Sequence, residues 1–538
     1  MDNSVDQDKR LPHRRVPSTV GNQADQAETG PEQGPAQRAT SAQTARTLAI
    51  AIPAVLGFIG VVLIGLWLLG DRQPVGVEPR TPQQQTPAAR AQEAAQQQPA
   101  PGPASAGQPG ATEGGPAQAT GAQSAQQQAQ AGTTRASSTA PAATGGGGRW
   151  PWFRGVGRDA IADEEVGLAR SWPEGGPRRL WSKEMLGPGH AGAAILGGRV
   201  YVLDYDLGAR ADVLRCMSLQ DGSDIWKQSY AVQIKDNHGI SRTVPAVTEQ
   251  FVVSLGPMGH VTCARADSGE IIWQIDLKQK YGTKIPGWYA GQCPLIDDGK
   301  AILAPGGQAL MIAVDCASGQ VVWQTPNPRG WQMTHASIVP CTLGGRKVYV
   351  YTASGGIVGV SPGDGSLLWE HPGWSVNTAN VPTPLPVGSD RLFITGGYGA
   401  GSMLLSVAGG SPSEVWRIPQ KVFGSHQHTP IYYRDHIFGV SMDQQLVCLN
   451  LQGERVWSSG HTNTFGIGPY IIAEGLIYVL NGDDGTLVMA EASTSGYQEL
   501  ARAKILPGAN AWGPMALAGG KLVCRDRTTM VCVDVKNP

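Results

Sequence analysis

Short apolar runs recur along the carboxyl-terminal two thirds of the chain. Arg199-Val-Tyr-Val-Leu203, Lys347-Val-Tyr-Val-Tyr351 and Leu476-Ile-Tyr-Val-Leu480 are β-branched and aromatic, as strands packed on their faces require. A hairpin pattern follows, clearest in Ala313 to Trp323 (AVDCASGQVVW): a strand, a tight turn at Ser318-Gly319, and a second strand ending in an indole. Aligning on the tryptophan, with the turn glycine four residues before it, recovers Cys216 to Trp226, Cys263 to Trp273, Gly359 to Trp369 and Val447 to Trp457. Trp181 and Trp416 fall in step without the glycine, and subtraction along the series 181, 226, 273, 323, 369, 416, 457 gives gaps of 45, 47, 50, 46, 47 and 41. A period of that size, with alternating short strands and turn residues, predicts propeller blades of about four strands each.

The units have cores near 190–228, 240–275, 289–325, 334–371, 378–418, 426–459, 466–503 and 510–535. The last has no fourth strand of its own, whereas Arg178 to Lys183, with Trp181, is a strand without a preceding hairpin. Pairing these two open edges closes the ring, which predicts an all-β, eight-bladed propeller over 178–538 preceded by an aromatic leader over 150–177. The leader, with Trp150, Trp152, Phe153 and Trp172, is expected to pack across the outside or floor of the ring, since its aromatics would otherwise face water.

The first 149 residues have a different character. Residues 1–46 lack the apolar content to offset ordering entropy and are expected to be a disordered tail, with six acidic residues balancing six basic ones. Thr47 to Leu69 runs twenty-three residues without a charge. At about 1.5 Å per residue it can cross a hydrocarbon core of about 30 Å, predicting an uncleaved signal anchor. Residues 70–149 are Gln, Ala, Pro, Gly, Ser and Thr in low-complexity runs, a linker with an r.m.s. span of roughly 50 Å. Arg38 and Arg46 precede the span and Arg72, Arg80 and Arg90 follow it, so flanking charge does not set orientation.

Overall charge is balanced, 42 basic against 43 acidic residues, which speaks against a nucleic-acid footprint. Five of the eight cysteines (Cys216, Cys263, Cys316, Cys448, Cys532) recur on the strand before the turn, where a small apolar side chain is wanted. No two cysteines are adjacent and no CxxC occurs, so these read as buried structural thiols. Asp204 with Asp206, and Asn481 to Gly485, read as turn residues rather than as a calcium site.

The motif Ala313-x-Asp315-x-x-Ser318-Gly319-x-x-x-Trp323 resembles the tryptophan-docking repeat of the PQQ-like (pyrroloquinoline-quinone-type) eight-bladed propellers, over about 175–538. Among these the chain most resembles the BamB-like propellers of outer-membrane assembly, from which it departs in having an apolar anchor and linker in place of a lipidated cysteine. The resemblance implies a non-catalytic binding or scaffolding module with a protein or envelope-polymer partner, anchored by 47–69 in the cytoplasmic membrane with the ring on the extracytoplasmic side. The alternative it implies is a PQQ-dependent dehydrogenase of alcohols or sugars with calcium. Dehydrogenases of this shape pair the quinone with a vicinal disulfide, which this sequence lacks. The residue-level reading therefore assigns no cofactor, no metal and no catalytic residue.

Position supplies the candidate site. First strands of propeller blades line the central channel, so residues entering them converge on one mouth. Here these are His190, Arg242, Trp288, Tyr289, Gln292, His335, Asn377, Asn380, His426, His428 and Trp512. His426 and His428 are expected to share one face by strand alternation. Trp181, Trp226, Trp273, Trp323, Trp369, Trp416 and Trp457 are expected to dock each blade on its neighbour.

Overall fold

Successive runs of strands fold back on themselves and form eight antiparallel sheets. The computed structural model describes residues 148–536 apart from 166 and 509, so the predicted tail, span and most of the linker lie outside the described residues. Among the described residues no helix is long and apolar enough to cross a membrane. One short helix, Leu277–Tyr281, is capped by Asp276 and ended by Gly282 in the left-handed region.

Blade 1 shows the pattern: Ala194–Leu196, Arg199–Asp206, Ala211–Ser218 and Asp224–Ala231 run from the channel outwards. Its middle strands are buried along their length because neighbouring blades cover both faces, whereas the outermost strand alternates with solvent. Seven blades are built this way, and the eighth is completed from the far end of the ring. Arg178–Glu184 pairs antiparallel with Thr529–Asp534, with Arg178 opposite Asp534 and Trp181 opposite Cys532. The closure predicted from unpaired edges is the one observed.

The leader takes the floor of the channel. Ile161–Ala162 adds a fifth, parallel strand inside Tyr470–Ala473 of blade 7. Trp150 bridges to Ile195 of blade 1, and the Pro151 carbonyl accepts from Val247 N in blade 2 at 2.8 Å. The buried Arg154 donates to the carbonyls of Thr429 (2.6 Å) and Pro430 (2.8 Å) before blade 6. Glu165 takes the backbone N–H groups of Gly519 and Gly520 in blade 8. Apart from Thr429 and Pro430, which precede the inner strand of blade 6, these partners lie on or after inner strands, and the leader adds Phe153 to the lining of the channel cavity.

The tryptophans dock between blades with a periodic geometry. Trp181, Trp226, Trp273, Trp323, Trp416 and Trp457 donate their indole N–H to the carbonyls of Leu219, Ala266, Cys316, Pro362, Leu451 and Ser493, each in the next blade's outer hairpin, at 2.9 to 3.3 Å. The turn glycine four residues before each tryptophan therefore serves the preceding blade's indole. Cys216, Cys263, Cys448 and Cys532 sit opposite a docking tryptophan in register, as the cysteine pattern suggested. Cys316 departs from it: Ala313 occupies that register, and Cys316 lies in the turn, where its carbonyl receives Trp273.

Asp204 also corrects the sequence reading. It is a buried strand residue, not a turn residue, and pairs with Arg215 at 2.7 Å and Arg525 at 3.7 Å while accepting from Leu186 N. Asp483 and Asp484 do lie in a turn.

Candidate functional site

Above the leader the mouth narrows into a cavity of about 290 Å³. Seven of the eleven candidate residues line it: His190, Arg242, Trp288, His335, His426, His428 and Trp512. Each lies in the loop entering an inner strand, which is why position in the repeat could find them.

The other four turn elsewhere. Gln292 is buried and holds Ala304 through both its amide groups, accepting from its N at 2.8 Å and donating to its O at 3.3 Å. Asn380 is buried against the carbonyls of Thr352 and Ala353. Asn377 is exposed and outside the cavity lining, and Tyr289 donates its hydroxyl to the Lys235 carbonyl. Sequence reasoning missed Phe153, which the leader supplies as part of the floor, as well as His238, Tyr398 and Gln427. No repeat position marks them. Nor do His426 and His428 face the cavity by strand alternation: their segment is irregular and Gln427 lines the cavity between them.

Five of the chain's ten histidines thus meet here, so their charge decides the electrostatics of the site. Burial, helped by Arg242 and Arg525, pushes His190 down to about 3. Burial pushes His335 to about 4 and His428 to about 3, and it lowers His426. These four are neutral imidazoles at pH 7. Two have a defined tautomer. His190 Nε2 faces the His238 carbonyl at 2.9 Å and His335 Nε2 faces the Gly287 carbonyl at 2.8 Å. A carbonyl can only accept, so each Nε2 carries the hydrogen and each Nδ1 is a bare acceptor. His190 Nδ1 and His428 Nε2 have no partner among the described residues. His190 also stacks on Trp512, with centroids 5.0 Å apart.

One rim is held under strain. His238, Trp288 and Tyr289 have φ of 55°, 61° and 74°, a region that side chains of this size rarely occupy. Arg242 fastens their two loops together: Nε donates to the Trp288 carbonyl, and Nη2 to those of Asn237 (3.1 Å), His238 (2.8 Å) and Gly239 (3.2 Å). Burial lowers Arg242 to about 10, which leaves it cationic at neutral pH. Asp236, the carboxylate nearest in sequence, is engaged by Arg527 and by Gly239 N.

The family model for outer membrane protein assembly factor BamB matches residues 209–459. That match spans less than half of the chain; the ring is an eight-bladed propeller whose repeats are similar to the PQQ type. Among solved structures, the ring is similar to BamB from Moraxella catarrhalis, at 16% identity and a TM-score of 0.48 over 66% of this chain and 99% of that one. It is also similar to a europium-containing methanol dehydrogenase, at 13% identity and a TM-score of 0.52 over 72% of this chain and 89% of that one, a likeness of fold. No curated protein matches the chain significantly.

The cavity of the ring does not suit a calcium-held quinone. Calcium takes six to eight oxygen ligands, commonly carboxylates. No Asp or Glu lines this cavity, and among the described residues no group of three or more His, Cys, Asp or Glu could hold a metal ion. Cys293 is the one cysteine in the lining, and neither chain neighbour is a cysteine.

Proposed function

We propose that this chain is a non-catalytic binding or scaffolding module of the cell envelope. Residues 47–69 anchor it in the cytoplasmic membrane, the low-complexity linker tethers the ring on the extracytoplasmic side, and the mouth of the propeller engages a protein or envelope-polymer partner. One observation carries the reading: a cavity walled by aromatics and neutral imidazoles, with one arginine and no carboxylate. Such a lining offers contact area and hydrogen bonds, but no carboxylate base to take a proton from an alcohol.

The test is a titration of the full-length protein with pyrroloquinoline quinone, with and without calcium, followed by tryptophan fluorescence and heat. Absence of calcium-dependent binding is the expected result. Tight one-to-one binding that needs calcium would overturn this reading in favour of a dehydrogenase.

A further inference from the structure

Arg242 is the one arginine or lysine in the cavity lining, no carboxylate lines the cavity with it, and the nearby Asp236 acts on it without a salt bridge. Four of the cavity's five histidines are neutral, and Arg242 remains cationic on the rim. The guanidinium places Nε and Nη2 on four carbonyls, which orient the group without neutralising it. Below the rim the surface is apolar: Phe153 from the leader, with Ala379, Val381, Ile467 and Pro514 from the entering loops. The space, about 290 Å³, suits a body of one or two rings and not a folded segment.

We infer that the cavity recognises a carboxylate borne on a small aromatic or aliphatic body, with the carboxylate at the Arg242 rim and the apolar part seated towards Phe153. The inference rests on the binding-module reading and narrows it to a ligand class. The Nη1 N–H groups of Arg242, which none of these four carbonyls takes, are left to donate to a carboxylate, and strained, fastened loops keep the rim in place before the ligand arrives. Two sources share this chemistry, a free organic acid and the carboxyl-terminal residue of a partner protein.

The experiment is calorimetric titration of the full-length protein with 3-phenylpropionate and with N-acetylphenylalanine, each against its neutral amide. The acids are expected to bind about tenfold or more tightly than the amides, with the preference weakening as salt is raised. Arg242→Gln should abolish the difference, and Arg242→Lys, which keeps the charge, should retain part of it. Binding of both acids indicates that a peptide terminus is accepted; binding of 3-phenylpropionate alone indicates a free acid. Equal affinity for acid and amide in the unaltered protein, or no binding of either acid at millimolar concentration, overturns the inference without needing any variant. The binding-module reading fails separately, through calcium-dependent binding of the quinone.

Discussion

Gly319 of blade 3 lies directly beneath the indole of Trp273 in blade 2: a Cβ on the glycine would stand 2.8 Å from the ring. The same glycine has φ of 72°, so one position meets a conformational demand and a steric one. Gly365 repeats the arrangement under Trp323, with a Cβ contact of 2.4 Å.

Gly365→Ala is therefore expected to cost about 2–4 kcal/mol, from the left-handed backbone and the overpacked ring together. Gly197→Ala provides the comparison, since φ is 58° there and nothing lies within 4 Å of the Cβ site. It should cost only about 1 kcal/mol. Denaturant melts of the two variants check this, and equal losses would show that the indole contact adds nothing.

Trp369 and Trp416 differ in one bond. Trp416 donates to the Leu451 carbonyl at 2.9 Å, whereas Trp369 makes no indole hydrogen bond among the described residues. The reason lies in blade 5, whose outer hairpin carries Pro412 where other repeats have the turn glycine. Trp416→Phe should lose about 1 kcal/mol more than Trp369→Phe. Thermal melts of both variants measure the difference.

Closure depends on a strand borrowed from before blade 1. Deleting Arg178 to Lys183 exposes the edge of Thr529–Asp534 and removes the Trp181 contact with blade 1. The expected outcome is unfolding or aggregation, read by light scattering and a melt. A melt unchanged from the parent would show that the ring does not depend on this strand.

Asp212 sets a pH dependence. It is buried between blades 1 and 2, its Oδ2 accepts from the Tyr230 hydroxyl at 2.6 Å, and its Oδ1 has no partner among the described residues. Burial pushes its carboxyl up to about 7. In the unfolded chain the group titrates near 3.9. Between these values the folded state holds a proton that the unfolded state has released, so this group's contribution to stability falls as pH rises from about 4 to about 7. Asp212→Asn should flatten the pH dependence of the melting temperature across that window; parallel curves for parent and variant would refute the assignment.

Much of this architecture was legible in the sequence, because a propeller repeats one local solution. The tryptophan period, the turn glycines and the orphan strand at Trp181 determined the blade count, the four-stranded plan and the closure, since each expresses a hydrogen-bonding or steric need within or between neighbouring repeats. The same logic placed seven cavity residues, which sit where each repeat enters its inner strand. Tertiary structure decided what depends on convergence from distant parts of the chain. That the leader lends Phe153 to the cavity, that Gln292 and Asn380 turn into the blades, and that Asp204 is buried between two arginines follow from packing around a closed ring. The site's charge is decided in the same way: only the assembled ring buries His190, His335 and His428 and leaves Arg242 cationic beside them, and burial has no signature in residue spacing.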